Sequence, residues 1–326
     1  MFLSNFELLR KNIIEKQTID SLLHLSRGVF GADFGASSAV ISNTKNPEAC
    51  GTYFRLVERT FQEFDQKHLK LLFAKTLANH DFRYYFKGYT KDVEDIVYSE
   101  NGAKIYYPNV SQSNFEKIPG CPIGYWASPN ILKIFTSNLA LSAVCSPTQG
   151  LATADNARFL RLWFEVSRSR IGFGFENAAS AARSGLKWFS HNKGGGFRRW
   201  YGNQDYVVNW ENDGAELKNF VDEEGKLKSR PQNMNYYFKH CLSWPKVCSN
   251  AISFRYYPNG FIYDCAAMSI FFNTDKEYSY YLGYLNSKLV HNILKILSPT
   301  LNFEVGQISR IPSCNIEKNY QTINNI

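Results

Sequence analysis

The run KWFSHNKGGGFRRWYGN, residues 187–203, sets Lys187, Lys193, Arg198 and Arg199 around Gly194, Gly195 and Gly196, with Trp188, Phe197, Trp200 and Tyr201 among them. Consecutive glycines let main-chain amides come close to a ligand and form an anion-binding concavity. Arginine forks onto phosphate, or onto O6 and N7 of guanine. Exposed rings stack on bases. The combination reads as a grip on a polyanion with stackable bases. A tight hairpin with solvated cations and core-packed tryptophans would produce the same run, and spacing does not separate the two. The run is not a Walker loop, because the GxxxxGK[ST] order is absent.

A second cluster, SPTQGLATADNARFLRLWFEVSRSR at 146–170, holds Gln149, Thr153, Asp155 and Asn156 ahead of Arg158, Arg161, Arg168 and Arg170. Asn and Gln can bond adenine bidentately, and an Asx turn uses the same residue types. A strand is expected from Phe159 to Val166, which would place the polar group on the loop leading into it. A third stretch, 297–312, offers Thr300 and Asn302, with Gly306 expected at a turn or bulge.

Spacings that carry catalysis are missing: there is no GxSxG and no HExxH. Asp213, Glu216 and Lys218 superficially resemble the D…ExK arrangement of a metal-dependent nuclease. The ordinary account of such a group is a solvated helix face, and a nuclease stays open as a third reading behind nucleic-acid binding and protein interaction. His240, Cys241 and Cys248 match no zinc spacing, so no metal is expected.

The seven cysteines are odd in number and form no CxxC pair, and the N-terminal stretch MFLSNFELLRKNIIEK reads as amphipathic rather than secretory. Reduced, mostly buried thiols in a cytoplasmic protein are the expectation. No apolar run approaches a membrane span. A net charge of +8 favours an acidic partner, and 44% hydrophobic residues exclude a disordered chain.

At 326 residues the chain exceeds one comfortable core, so more than one domain is expected. Periodicity predicts a helix over 4–16 opened by a Ser4/Glu7 capping box, a strand at 19–26, a turn feeding a second strand within 31–43, a third strand at 51–58, and a helix over 60–78 with Phe61, Phe64, Leu69, Leu72 and Phe73 facing a core. Pro108, Pro119 and Pro122 end periodic structure and mark a boundary. Beyond it strands are expected at 139–145, 159–166, 206–210, 251–257 and 268–272, with helices near 214–221 and across 277–297.

Six ordered segments, IPGCPIGYW, GLATADNARFLRLWFEV, KWFSHNKGGGFRRWYGNQDYVVNWENDG, RPQNMNYYFKHCLSW, GFIYDCAAMSIFF and YLGYLNSKLVHNILKILSPTLNFEVGQISRIP, span most of 118–312. They resemble the C-terminal part of the PglX family, the adenine-specific DNA methyltransferases of BREX phage-defence systems, related to type IIG restriction-modification enzymes. FLSNFELLRKNIIE, IDSLLHLSRGVFGADFGASSAVISN and GTYFRLVE are similar to the closing helix and strands of that family's methyltransferase core. The resemblance implies a mixed α/β protein: a remnant of a Rossmann-like methyltransferase core at 1–58, a helical connector at 59–117, and a DNA target-recognition domain at 118–326.

It also implies double-stranded DNA as partner and S-adenosylmethionine as the methyl donor of the complete enzyme. The family's glycine-rich cofactor loop and its Asn-Pro-Pro-Tyr tetrad are absent, since Asn46-Pro47 continues into Glu48-Ala49. That tetrad would hold a flipped adenine. No catalytic residue and no cofactor are therefore expected in this chain, which reads as a fragment or one half of a split enzyme, inactive in methylation by itself. A separate methyltransferase half or another defence-system subunit is an alternative partner, and no membrane is expected.

Overall fold

The computed structural model of the chain describes residues 2, 4–31, 35–58, 62–89, 95–248 and 251–313. They pack as two compact units, 1–137 with 295–301, and 138–294 with the chain from 302 onward. Packing therefore parts the chain at 137, where the prolines suggested 117. The architecture is mixed α/β with several separate sheets. Among the described residues no helix is long and apolar enough to cross a membrane.

The first unit contains α1 (Glu7–Lys16), β1 (Thr18–Arg27), β2 (Gly35–Ser42), β3 (Cys50–Arg55), α2 (Gln66–Ala78), β4 (Arg83–Tyr84), β5 (Ala103–Lys104), β6 (Tyr106–Ser111), α3 (Ser113–Glu116) and α4 (Pro129–Ser137). Its main sheet runs β2-β1-β3-β6. Only β1–β3 is parallel in it; β1–β2 and β3–β6 are antiparallel. β1 is covered on both faces. Ile19 and Leu22 join Ile13 and Ile14 of α1, while Leu23 and Leu25 pack with Leu69, Leu72 and Phe73 of α2.

His24, also on β1, is buried and stacks on Phe2 with ring centroids 4.0 Å apart. Burial, then the charge of Arg55, depresses its pKa to about 3. Helix α2 starts at Gln66 rather than near 60, because Asp65 caps it: its carboxylate accepts from the His68 amide at 2.8 Å. The expected roles of the Ser4 side chain and of Thr60 and Phe61 lie outside the described residues.

The second unit contains β7 (Ser146–Thr148), α5 (Asn156–Phe159), β8 (Leu160–Leu162), β9 (Ile171–Gly172), α6 (Ala178–Arg183), β10 (Trp188–Asn192), β11 (Tyr206–Asn209), α7 (Glu211–Lys218), β12 (Cys241–Pro245), β13 (Arg255–Tyr257), β14 (Phe261–Tyr263), β15 (Ala267–Phe271), α8 (Asp275–Leu285) and α10 (Val305–Ser309). Helix α9 (Lys288–Leu297) gives its last residues to the first unit. One sheet runs β14-β10-β11-β8 with β9 alongside β10, and a second runs β13-β12-β15-β7. Strands β10, β12 and β15 are buried along their whole length. Phe189, Cys241 and Phe271 from these strands join a core with Phe159, Val208, Trp210, Phe238 and Tyr263. The polar residues of the strands must find partners inside, because an unpaired buried polar group is costly.

Several expected elements differ. The segment 139–145 is not a strand; its centre, Leu141–Ala143, is a 3-10 turn. The strand expected over 159–166 is reduced to Leu160–Leu162. Asp155 caps a helical turn before it by accepting from the Arg158 amide at 3.0 Å, and Glu165 accepts from the Leu162 amide at 2.7 Å and curls the chain after it. The helix expected across 277–297 is two helices. Asn286 breaks it by bonding both sides of the Phe254 peptide, at 3.0 and 2.9 Å. The helix expected at 214–221 begins at Glu211 and passes through left-handed residues Asn212, Asp213 and Gly214. Gly306 lies within α10 rather than at a bulge.

Candidate functional site

β10 and β11 are antiparallel neighbours, with His191 opposite Tyr206. The chain between them, 193–205, is the long connection carrying the glycines and most of the cations. It is no tight hairpin, and its two tryptophan neighbours part company: Trp188 is buried in β10, while Trp200 is 52% exposed. Gly194 and Gly195 have φ of +90° and +110°, a region closed to most side chains. Among the described residues no acceptor is found for the amides of Gly194, Gly195 and Gly196. Phe197 and Tyr201 project into solvent beside Trp200.

The free end of the loop is pinned by main-chain bonds. The Trp200 amide donates to the Phe254 carbonyl at 3.1 Å, and the Tyr256 amide donates to the Trp200 carbonyl at 2.9 Å. This pairing holds Trp200 at φ +74°, a left-handed conformation that costs a non-glycine residue roughly 1–2 kcal/mol. Such strain at an exposed ring marks a candidate functional position.

At the root of the loop, Lys193 Nζ donates to Asp264 Oδ2 at 3.0 Å and to Asn156 Oδ1 at 3.3 Å. The Thr153 hydroxyl donates to the same Asn156 oxygen at 2.7 Å. Asp264 is buried and also meets His191 Nε2 at 3.0 Å and the Ala266 amide at 2.6 Å. Burial alone would raise the Asp264 carboxyl; the His191 hydrogen bond, the Ala266 amide and the Lys193 ammonium outweigh it and hold it at about 2. Thr153, Asn156 and Lys193, distant in sequence, thus meet in one hydrogen-bonded group. Parallel pairing of β10 with β14 brings Asp264 there.

The remaining expected residues divide. Arg198 and Arg199 have no carboxylate partner among the described residues, and Arg199 lies 5.4 Å from the centroid of Phe197. Arg158 is held by Glu216, at 2.8 Å from Nε and 2.7 Å from a terminal nitrogen. Arg161 donates to the carbonyls of Ala157 and Leu160, at 2.5 and 2.6 Å. Lys187 is paired with Glu211 at 3.4 Å. Arg158 and Lys187 are thus paired with carboxylates, while Arg161 meets only carbonyls.

Asp213 is tied to Lys218 at 2.6 Å while Glu216 is tied to Arg158 and Asn209, so the nuclease-like group is split between different partners. Among the described residues no group of three or more His, Cys, Asp or Glu could hold a metal ion. Asp264, His191 and a buried Arg255 were missed in the sequence, being single polar residues in apolar surroundings. So were Trp163 and Phe164, both exposed; the Trp163 amide bonds Asp205 at 2.9 Å, at the far end of the same loop.

No family model matches the chain. Against individual proteins it is 33% identical over 319 residues to the adenine-specific methyltransferase PglX of Lacticaseibacillus casei strain Zhang, covering 96% of this chain and 24% of that one. It is 30% identical over 319 residues to the adenine-specific methyltransferase BrxX of Escherichia coli O9:H4 strain HS, covering 96% and 22%. Among solved structures, the type IIG restriction endonuclease BpuSI aligns over 99% of this chain and 40% of its own, at 8% identity and a TM-score of 0.30, too low to bear on the fold. The chain spans about a quarter of the length of the curated relatives it matches. With that identity across nearly all of its own residues, the chain belongs to the PglX family.

Proposed function

We propose that this chain supplies the DNA target-recognition portion of an N6-adenine-specific methyltransferase of a phage-defence or restriction-modification system. The observation that carries the reading is the 193–205 loop. It holds guanidinium groups at Arg198 and Arg199 that no carboxylate among the described residues engages, exposed rings at Phe197, Trp200 and Tyr201, and bare glycine amides. Cations of this kind contact phosphates and set register on a duplex, and a few side chains then read base edges. Lys193, at the root of the loop, has its charge compensated by Asp264 and would meet DNA only in exchange for that partner. Asn156 and Thr153 are next to it and can bond a base edge or a phosphate oxygen once DNA competes for Lys193.

The chain's own residues do not fit S-adenosylmethionine. β1 leads into its antiparallel neighbour β2 and opens no helix. In this reading methyl transfer is not performed by the residues of this chain.

The test is binding of duplex DNA followed by fluorescence anisotropy across a salt series. Arg198→Ala/Arg199→Ala should bind more weakly, with the log–log salt slope shallower by about one unit for each phosphate that is no longer neutralised. The purified chain should transfer no labelled methyl group to DNA. A folded double variant with unchanged affinity and slope would remove these arginines from the site, and methyl transfer by the chain alone would overturn the assignment of its role.

A further inference from the structure

Arg255 begins β13 and is wholly buried. One terminal nitrogen lies 3.4 Å from the carbonyl of Gly196 and 3.4 Å from that of Arg198, at the outer limit of a hydrogen bond. Among the described residues its Nε and its other terminal nitrogen have no hydrogen-bond partner. Tyr257 is the polar neighbour. Burial pushes its hydroxyl up to about 12, the Arg255 charge and a loose side-chain hydrogen bond from Arg255 temper the rise, and the hydroxyl donates to the Asn203 carbonyl at 2.9 Å. Among the described residues no carboxylate pairs with Arg255.

A guanidinium cannot shed its proton, so this is a buried cation without a counter-ion. Such a group destabilises a fold unless something compensates it. The loop above it is built to admit a ligand. Gly195 and Gly196 are exposed, Gly196 with open space where a Cβ would stand, and their amides have no acceptor among the described residues; Gly194 is buried against Ala266 and Ala267.

We propose that Arg255 and the amides of Gly195 and Gly196 form a phosphate-binding site. A phosphate oxygen replaces the carbonyls of Gly196 and Arg198 as the acceptor for Arg255, and the glycine peptides turn to donate to the same group. The proposal deepens the DNA-contact reading of the loop and rests on it for the source of the ligand. The shared chemistry is a tetrahedral phosphate, either the phosphodiester of a nucleic-acid strand or free inorganic phosphate.

The experiment uses the full chain, with Arg255→Met and Arg255→Lys beside it. Each is melted in inorganic phosphate and in chloride of equal ionic strength, and each is titrated with duplex DNA across salt. If Arg255 serves the ligand, Arg255→Met should melt no lower than wild type in chloride, because a buried uncompensated charge has been exchanged for an apolar chain of similar length. Its duplex salt slope should be shallower by about one unit. Arg255→Lys, which keeps the charge but not the fork, should bind phosphate or duplex about tenfold more weakly.

Stabilisation of the wild type by phosphate, abolished in Arg255→Met, supports the site; if duplex binding is absent throughout, free phosphate is the ligand and only the DNA reading fails. A shallower duplex slope in Arg255→Met with no response to inorganic phosphate supports the phosphodiester as the source. Normal duplex binding with identical slopes in all three proteins, and no phosphate response, overturns the site and leaves the DNA reading standing. Should Arg255→Met fail to fold, Arg255→Lys decides: wild-type affinity for both phosphate and duplex would overturn the site.

Discussion

Trp200 combines two properties that oppose each other in a residue selected only for stability. It is held at φ +74°, and its ring is half in solvent. Replacing it with glycine relieves the backbone and removes little packing. Trp200→Gly is therefore expected to leave the melting temperature unchanged or raised, yet to weaken DNA binding by about 1–3 kcal/mol, the range for one stacked base. Wild-type DNA affinity in that variant would remove Trp200 from the interface.

His24 makes a prediction of a different kind. Burial and Arg55 hold its pKa near 3 in the folded chain, against an ordinary value of 6.5. Its neutral form belongs to the fold, so its contribution is complete above pH 6.5. It is lost progressively as pH falls from about 6.5 towards about 3, because the unfolded chain takes up the proton first, at about 1.4 kcal/mol per pH unit of that window. His68, lowered by burial against the opposing charge of Asp65, adds a loss of the same sign. Urea unfolding at pH 7, 6, 5 and 4 should show stability falling more gently in His24→Leu than in wild type, and parallel curves would contradict the assignment.

At the scale of elements, Gly150 is a tight point. It follows β7 where the chain passes β14, and a Cβ built on it would collide with the carbonyl oxygen of Tyr263. That close approach lets the Leu151 amide donate to the same carbonyl at 2.8 Å, just before the turn that carries Thr153 and Asn156. Gly150→Ala should lower stability by roughly 1–3 kcal/mol, the cost of forcing an extra carbon into a packed site, while Gly225→Ala, in an exposed turn with open space, tests only its positive φ. Equal melting temperatures for Gly150→Ala and wild type would show that the two segments can part without penalty.

Elements of this kind explain what the sequence made legible. The strands at Thr18–Arg27 and Gly35–Ser42 stand close to the expected 19–26 and 31–43, because long regular runs declare themselves locally. The single helix expected over 277–297 breaks at Asn286 because of Phe254, a residue far away in sequence, and no local pattern contains that bond. The candidate site divides the same way. The basic glycine run was visible as composition. Asp264, which aims Lys193, and Arg255, which lies under Gly196, are single polar residues delivered by strand pairing.

For the whole molecule, the family match and the net charge belong to the chain as a whole, and it is the loop between β10 and β11 that directs attention to the second unit. The first unit contributes a sheet with one parallel pair and a buried histidine. The second unit carries the loop between β10 and β11, where three cations, three rings and four glycines share one connection. Among the described residues the same span is short of engaged partners at Arg198, Arg199 and the glycine amides, while Arg158 and Lys187 are paired with carboxylates and Arg161 bonds two carbonyls. In the proposed reading a net charge of +8 steers the chain towards a polyanion and this loop is the face that meets it.

Hydrogen–deuterium exchange of the whole chain, with and without duplex DNA, tests this most directly. Peptides covering 193–203 should exchange rapidly in the free protein and become protected on DNA, together with peptides covering 153–156. Protection confined to other segments, with 193–203 exchanging equally in both states, would contradict the claim that this loop grips the nucleic acid.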